Sequence, residues 1–399
     1  MLFVSDSFAQ NVGLVLSGGG ANAVSHIGVL KALEENNIPI DYITGTSMGA
    51  LVGGMYATGY SPQEIEKVFL SQQFKDWAEG NLDEKYIYYL REKVENPSMI
   101  TFKLDLDKLL ETSIPTNLIS PTALDYGLMK YFAPSTAAAD NNFDKLFIPF
   151  RCVASDIVSK IPYVFNEGKL ATAIRASMSY PFYLTPVSHQ NKLLFDGGLY
   201  NNFPADVMID DFSPDYIIGC NVSSNFEIPD EDNILSQLKR MAANNTEYSI
   251  PDSVPSILIE PEASEFSLFD FDNNQALIAI GYNATIKQID KIKGAITRRI
   301  DQEELNSRRK NYRNTLPELI FDGVEVEGMK PNQNKYVMKS LRIKKYSVSA
   351  DDIEPEYIKV SSDDKIMRLY PEAELNKETE KFTLKLKAKK GKDLFFSFG

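Results

Sequence analysis

Ser47 is the central residue of the pentapeptide Gly45-Thr46-Ser47-Met48-Gly49, a pattern in which a serine can act as a nucleophile. The apolar, β-branched residues 40–44 before it predict a strand, and the small apolar residues 50–57 after it predict a buried helix. A serine on such a turn exposes its hydroxyl, and the following helix directs its positive end toward it. We therefore predict a nucleophilic Ser47, with Gly45 and Gly49 leaving room around it; an ordinary glycine-rich turn is the alternative.

A second glycine-rich segment, Ser17-Gly18-Gly19-Gly20-Ala21, lies between a predicted strand at 12–16 and a predicted helix at 24–35. Consecutive glycines allow backbone N–H groups to converge on one point, where they can bind a phosphate or an oxyanion. The Lys-Ser/Thr pair of a phosphate-binding P-loop does not follow. We therefore prefer an oxyanion hole to a nucleotide site, and its predicted residues are Gly18, Gly19, Gly20 and Ala21.

A serine nucleophile needs a base, and the chain has only 2 histidines, His26 and His189. His26 lies in a predicted helix and His189 in a polar turn, so the preferred roles are packing for the first and solvation for the second. A triad through His189 would take its acid from a residue such as Asp156. Asp196 is the preferred base, because it ends a predicted strand and the small Gly197 and Gly198 follow it, although Asp-Gly-Gly is also a common hairpin turn.

Several of these motifs, taken in order, resemble the patatin-like phospholipase family: residues 17–20, 26–30, 45–49, 173–181 and 196–198. The resemblance covers residues 12–295 and implies an α/β fold with a mainly parallel sheet flanked by helices. It also implies a serine esterase of the phospholipase A type (EC 3.1.1) that cleaves lipid esters through a dyad of Ser47 and Asp196, without metal or cofactor. The family's loop usually continues with a cation and a glycine. Asn22 and Ala23 stand there instead, and we expect a changed rate or substrate rather than a loss of activity.

The C-terminal residues 320–395 form a separate small unit, since their pattern predicts a strand, two helices and two strands. This α+β order resembles a POTRA (polypeptide-transport-associated) domain. The combination resembles bacterial patatin-like proteins in which such a domain joins the enzyme to an outer-membrane β-barrel, which implies association with a membrane. On this interpretation the chain is a fragment, and a barrel follows Gly399. Residues 296–319 predict a charged, helical connector with a solvated face.

Two further segments leave alternatives open. Residues 72–145, which include Trp77 and the aromatic run at 86–90, either cap the site or form a packing insertion. Residues 1–11 resemble a signal-peptide remnant with cleavage after Ala9, although the positively charged start of a signal is missing. That remnant would make the protein extracytoplasmic, in the outer membrane, the periplasm or at the cell surface; without it a cytoplasmic location is expected.

The composition of the chain limits the classes of binding partner that we expect. A net charge of -13 argues against a general nucleic-acid binder and against electrostatic docking on anionic lipid, but not against a phospholipid or other acyl-ester lipid as substrate. A homodimer is the expected assembly if the chain associates. Cys152 and Cys220 lie in apolar runs and are predicted to be buried free thiols, with a single disulfide as the alternative. The alternative functions are a scaffold or binding module and an acyltransferase that uses the same serine.

Overall fold

The computed structural model describes residues 10–82, 100–104, 118–224, 244–263, 265–341, 347–363, 365–391 and 394–398. The chain is divided into two compact units. The first unit comprises residues 1–74, 139–180 and 186–315, and the second comprises residues 75–138, 181–185 and 316–399. Most of the predicted signal remnant and the aromatic run at 86–90 lie outside the described residues. Among the described residues, no helix is long and apolar enough to cross a membrane.

An eight-stranded sheet is the framework of the first unit, with strand order β6-β7-β4-β2-β1-β8-β9 and with β5 paired to β4. Strand β1 is buried along its whole length, as its unbroken apolar sequence requires between two layers of helices. The strands are β1 (Val12–Leu16), β2 (Tyr42–Thr46), β4 (Phe150–Asp156), β5 (Ile161–Phe165), β6 (Val187–His189), β7 (Lys192–Asp196), β8 (Tyr216–Cys220) and β9 (Ser256–Ile259).

The sheet is mixed, with parallel pairing through the middle of the sheet and antiparallel pairing at one side. Strands β4, β2, β1, β8 and β9 run parallel to their neighbours in this row. The hairpins β4–β5 and β6–β7 and the pairing of β7 with β4 are antiparallel. Tight hairpins can join only antiparallel strands, so the two hairpin turns after β4 and β6 account for the mixture.

The register brings the predicted chemical residues to one edge of this sheet. Leu16, the last residue of β1, pairs with Gly45 of β2, so the glycine loop and Ser47 leave neighbouring strands side by side. On the next strands, Thr46 pairs with Val153, and Ala154 pairs with Asp196. The carboxyl edge of an open parallel sheet is where ligand sites of α/β folds form.

The helices that begin in the first unit are α1 (Ser25–Glu35), α2 (Met48–Ala57), α3 (Pro62–Phe69), α4 (Gln72–Glu79), α6 (Leu170–Ser177), α7 (Ala205–Phe212), α8 (Asn274–Ile286), α9 (Ile289–Ala295) and α10 (Gln302–Arg313). Helices α1 and α8 approach very closely, because glycines stand at the contact. A Cβ added at Gly28 would lie 1.9 Å from the carbonyl oxygen of Ile278, and one at Gly281 would lie 1.9 Å from that of Ser25.

Helix α10 corresponds to the predicted charged connector. Not all of its charged side chains are exposed to solvent. Arg309 is 4% exposed and forms an ion pair with Glu34 of α1, which is equally buried. The guanidinium also lies over the ring of Tyr56, 5.3 Å from its centroid. Buried charges in proteins require partners of this kind, so α10 is packed against α1 within the first unit.

The second unit contains a four-stranded sheet of order β11-β10-β13-β12, in which β10 and β13 are parallel. The predicted strand, two helices and two strands are present, with the additional short strand β11 between the helices. Helix α5, from an earlier part of the chain, packs into the same core: the hydroxyl of Tyr126 donates to Ala350 O at 2.6 Å. Trp77 is also buried here, beside the ring of Tyr131. The elements are β3 (Ile100–Leu104), α5 (Thr122–Ala138), β10 (Ile320–Glu327), α11 (Pro331–Ser340), β11 (Val348–Ser349), α12 (Ala350–Ser361), β12 (Ile366–Asn376), β13 (Lys381–Lys390) and β14 (Leu394–Phe398).

Candidate active site

Ser47 occupies the turn between β2 and α2 with a backbone conformation of φ 54° and ψ −127°. A side-chain-bearing residue in this left-handed region is strained and persists only where its surroundings fix it. Gly49 explains part of that fixation, because a Cβ at this position would lie 2.4 Å from the carbonyl oxygen of Ser17. The turn therefore packs directly against the glycine loop and presents the Ser47 hydroxyl, which is partly exposed, at the sheet edge.

Asp196 lies within hydrogen-bonding distance of that hydroxyl. The Ser47 Oγ donates to Asp196 Oδ2 at 2.6 Å, and the backbone N–H of Gly198 donates to Oδ1 at 2.8 Å. Asp196 is only 3% exposed. Burial raises the pKa of Asp196 to about 6, although the hydrogen bonds from Ser47 and Gly198 act in the opposite direction. Its neighbour Gly197 fits closely, since a Cβ there would lie 2.2 Å from the carbonyl oxygen of Val153.

The glycine loop lies beside Ser47, and its four predicted amides differ in their partners. The N–H of Gly18 donates to Asn202 O at 3.0 Å, and the N–H of Ala21 donates to Leu268 O at 2.8 Å. For the amides of Gly19 and Gly20, the described part of the chain offers no acceptor. Those two amides are consequently the ones of this loop that can receive a further acceptor.

The amide of Met48 is a further donor beside the nucleophile that we did not single out from the sequence. It is the first residue of α2, and no described residue accepts its N–H. In strand–Ser–helix turns the amide after the nucleophile commonly contributes to an oxyanion hole, so the pentapeptide itself carried the information. With Gly19 and Gly20, it gives three donors around the turn.

Ser177, the last residue of α6, and Ser179, just after this helix, hydrogen-bond to the backbone of the dyad residues. The hydroxyl of Ser177 accepts from the N–H of Ser47 at 2.7 Å and donates to Val153 O at 2.5 Å. The carbonyl of Ser179 accepts from the N–H of Asp196 at 2.9 Å. Both serines lie in the stretch 173–181, which resembles the family but for which we predicted no role. This geometry indicates that the two serines position Ser47 and Asp196.

Neither histidine contacts the dyad among the described contacts. His26 is fully buried, donates its Nε2–H to Ser17 O at 2.9 Å, and has Nδ1 3.1 Å from Cys220 Sγ. Burial lowers the pKa of His26 to about 4, so the ring is neutral at pH 7 and its Nδ1 accepts from the thiol. Cys152 and Cys220 are buried and free, which confirms the prediction for the thiols.

His189 lies along the β6–β7 hairpin, away from the dyad. It pairs with Lys192, the first residue of β7, whereas Asp196 is the last, a separation of about 13 Å along the strand. Asp156, the acid considered for a triad, accepts from Lys192 Nζ at 2.8 Å. This hydrogen bond lowers the pKa of Asp156 to about 2. His189 packs against the rings of Tyr163 and Phe165 instead.

Asn22 and Ala23 occupy a short 3₁₀-helix, Gly20–Val24, where the family loop carries a cation and a glycine. Asn22 is 8% exposed, and among the described residues its Oδ1 has no hydrogen-bond partner. The residue therefore contributes buried polar surface rather than positive charge to the loop. Among the described residues, no group of three or more His, Cys, Asp or Glu side chains could hold a metal ion.

The arrangement can support acyl transfer to a serine. A carboxylate with a raised pKa accepts the proton of a neighbouring hydroxyl, and convergent amides stabilise the negative charge of a tetrahedral intermediate. The N-terminus of α2 adds a positive dipole end at the same point. These features together are those that a site of the nucleophile–base–oxyanion type requires.

Comparison with known proteins shows which family part of the chain resembles. The sequence model of the family described as Patatin-like phospholipase matches residues 14–209. Patatin-like phospholipase domain-containing protein 6 of Mus musculus is 33% identical over 201 residues, which are 50% of this chain and 12% of that protein. Lysophospholipase NTE1 of Kluyveromyces lactis is 28% identical over 300 residues, which are 68% of this chain and 19% of that protein.

Among solved structures, VipD from Legionella pneumophila matches with a TM-score of 0.38 and 14% sequence identity, over 77% of this chain and 74% of that one. The matched part of the chain spans only 12% of the length of protein 6 of Mus musculus and 19% of that of NTE1 of Kluyveromyces lactis. Residues 14–209 are thus similar to the patatin-like phospholipase family.

Proposed function

We propose that this protein is a lipid acyl hydrolase that cleaves carboxylic esters through a Ser47–Asp196 dyad. The observation that carries the proposal is the 2.6 Å hydrogen bond from Ser47 Oγ to the buried Asp196 carboxylate. A patatin-like family match over residues 14–209 supports a lipid as the substrate. The curated relatives include a protein named lysophospholipase, which supports a phospholipid-derived ester.

In the first half of the reaction, Ser47 Oγ attacks the ester carbonyl while its proton passes to Asp196. The carbonyl oxygen becomes an oxyanion, which the amides of Gly19, Gly20 and Met48 stabilise. The C–O bond to the leaving alcohol then breaks, and the protonated Asp196 returns its proton to that alcohol. The acyl group is left as an ester on Ser47.

The second half repeats these steps with water. Asp196 takes a proton from the water as its oxygen bonds to the acyl carbon, and the same amides hold the new oxyanion. The bond from Ser47 Oγ to the acyl carbon breaks, and Asp196 protonates the serine. A carboxylic acid leaves, and the dyad returns to its starting state. An alcohol in place of water would make the same acyl-enzyme an acyltransferase.

Product analysis tests the proposal directly. Purified protein is incubated with mixed phospholipids and lysophospholipids, and the products are identified by mass spectrometry. We expect free fatty acid and the deacylated glycerol lipid from the wild type, and none from Ser47→Ala. Intact lipid with the wild type would instead favour a scaffold, and a new acyl ester without free acid would favour an acyltransferase.

The role of the C-terminal domain, the assembly and the location of the protein are proposed from the sequence. We propose a POTRA-like role for residues 320–395, association with a membrane, a homodimer and an extracytoplasmic location. Their support is the resemblance of the sequence alone. Fractionation of cells that express the full-length protein would test the location, with recovery in the cytoplasm as the contrary result.

A further inference from the structure

Leu268 lies directly on the predicted oxyanion loop, and Phe269 follows it; both residues are outside the stretch 14–209 that matches the family. The carbonyl oxygen of Leu268 accepts from the N–H of Ala21 at 2.8 Å. It also fills the space beside Gly20, which has φ +54° and where a Cβ would lie 2.2 Å from this oxygen. The segment is thus fixed by its backbone to the loop that carries the amides of the site.

The next side chain, Phe269, contacts the ring of Tyr180. The ring of Phe269 meets that of Tyr180 edge-on, with centroids 5.8 Å apart and an interplanar angle of 69°. Tyr180 follows Ser179, whose carbonyl accepts from the N–H of Asp196. Burial, and next the negative charge of Asp196, raise the pKa of Tyr180 to about 12, which is consistent with this proximity.

The apolar side chains here are not buried by the protein. Leu268 is 38% exposed and Phe269 is 41% exposed. Isolated exposed apolar residues are ordinary, but these two are consecutive and are held between the oxyanion loop and the aromatic neighbour of the base. An apolar acyl chain that extends from the ester carbonyl at Ser47 over these two side chains would remove them from water.

We propose that Leu268, Phe269 and Tyr180 form the contact surface for the acyl chain, so that the site selects esters of long-chain fatty acids. This inference rests on the proposed hydrolase function and names the substrate class of that site. The hydrogen bond from the N–H of Ala21 to the carbonyl oxygen of Leu268 holds this surface at a constant position relative to the oxyanion. Each methylene group that the surface removes from water contributes a factor of about four to binding.

The kinetic test compares p-nitrophenyl butyrate with p-nitrophenyl decanoate, both kept below the concentration at which they form micelles. We expect Phe269→Ala to lower kcat/KM for the decanoate about tenfold and for the butyrate less than about twofold. Phe269→Leu should keep most of the preference for the long chain. Ile286→Ala is the matched control, since Ile286 is 36% exposed on α8 of the same unit and should leave both rates unchanged.

A binding measurement separates this inference from the proposed function. In a Ser47→Ala background, which cannot form the acyl-enzyme, equilibrium dialysis should show that Phe269→Ala weakens decanoate binding about tenfold and leaves butyrate binding unchanged. If the wild type hydrolyses neither ester, the proposed function fails, and the dialysis still decides the acyl surface. Equal losses for both chain lengths, or no loss for either, would overturn the acyl surface while leaving hydrolysis by Ser47 intact.

Discussion

The backbone N–H of Ser47 donates to the hydroxyl of Ser177 at 2.7 Å, and that hydroxyl donates onward to Val153 O. Ser47 has a positive φ of 54°, a conformation that costs about 1–3 kcal/mol and must be held from outside. Ser177 therefore links the strained turn to the neighbouring strand β4. This link keeps Ser47 Oγ in reach of Asp196 without contributing a group to the chemistry.

Loss of the Ser177 hydroxyl should impair turnover more than binding. We expect Ser177→Ala to lower kcat about 10- to 100-fold with little change in KM, because a buried N–H and a buried carbonyl lose their partner and the turn relaxes. The free energy of unfolding should fall by about 1–3 kcal/mol. Steady-state kinetics on a soluble ester and urea unfolding measure the two effects.

Ser25→Ala is the matched control for Ser177→Ala. Ser25 is also fully buried, but its hydroxyl has no hydrogen-bond partner among the described residues. Its removal should leave both kinetics and stability close to the wild type. A wild-type kcat in Ser177→Ala, or an equal loss in Ser25→Ala, would show that the hydroxyl of Ser177 does not position the nucleophile.

The rate should follow the ionisation of Asp196. The pKa of this carboxyl is raised to about 6 by burial, and only the carboxylate can accept the proton of Ser47. We expect kcat/KM to fall about tenfold for each pH unit below about 6 and to be constant above it. Asp156→Asn is the control, because the pKa of Asp156 is lowered to about 2 and it stays ionised throughout. A flat profile from pH 4.5 to 8 would contradict the role of Asp196.

The same pKa predicts that Asp196 destabilises the folded protein at neutral pH. Between about pH 4 and pH 6 the folded chain binds a proton that the unfolded chain has lost, so stability falls as the pH rises through this window. Above pH 6 the full cost is present, about 3 kcal/mol. Asp196→Asn removes the buried charge and should raise the free energy of unfolding at pH 7.5 by up to this amount.

Urea unfolding at two pH values measures this effect. At pH 4.5 the difference between Asp196→Asn and the wild type should be much smaller than at pH 7.5, because most of the folded wild type is then protonated. An equal effect of the substitution at both pH values, or a loss of stability at pH 7.5, would show that burial of the carboxylate is not costly here.

His189→Ala separates the dyad from a triad. His189 packs on Tyr163 and Phe165 and lies along the hairpin from Asp196, so we expect activity within about twofold of the wild type. Hydrolysis of a fluorogenic acyl ester measures it beside Asp196→Asn. If His189→Ala proved as damaging as Asp196→Asn is expected to be, a triad through His189 would replace the dyad.

Local patterns in the sequence predicted the elements around Ser47 well. The strand at 12–16 is confirmed, and the predicted helices at 24–35 and 50–57 correspond to α1 and α2 within two residues at each end. These elements are encoded by neighbouring residues: an apolar run between turns gives a buried strand, and small apolar residues after the serine give a buried helix. The proximity of Ser47 and Asp196 followed from a family pattern rather than from these local signals.

Contacts between distant residues were not predictable in the same way. The packing of α5 with the C-terminal sheet and the buried pair of Arg309 with Glu34 join residues far apart in sequence, and no local pattern marks them. The same holds for the partners of the glycine-loop amides. Three consecutive glycines indicate amides free to turn, but only the fold shows that those of Gly18 and Ala21 already donate to other carbonyls.

Covalent labelling of Ser47 by a fluorophosphonate probe, followed by intact-protein and peptide mass spectrometry at pH 7.5, tests the dyad most directly. We expect one adduct per chain on Ser47 in the wild type and in His189→Ala, no adduct in Ser47→Ala, and labelling at least about 100-fold slower in Asp196→Asn. An adduct on another residue, or labelling of Asp196→Asn at the wild-type rate, would contradict the assignment of Ser47 and Asp196.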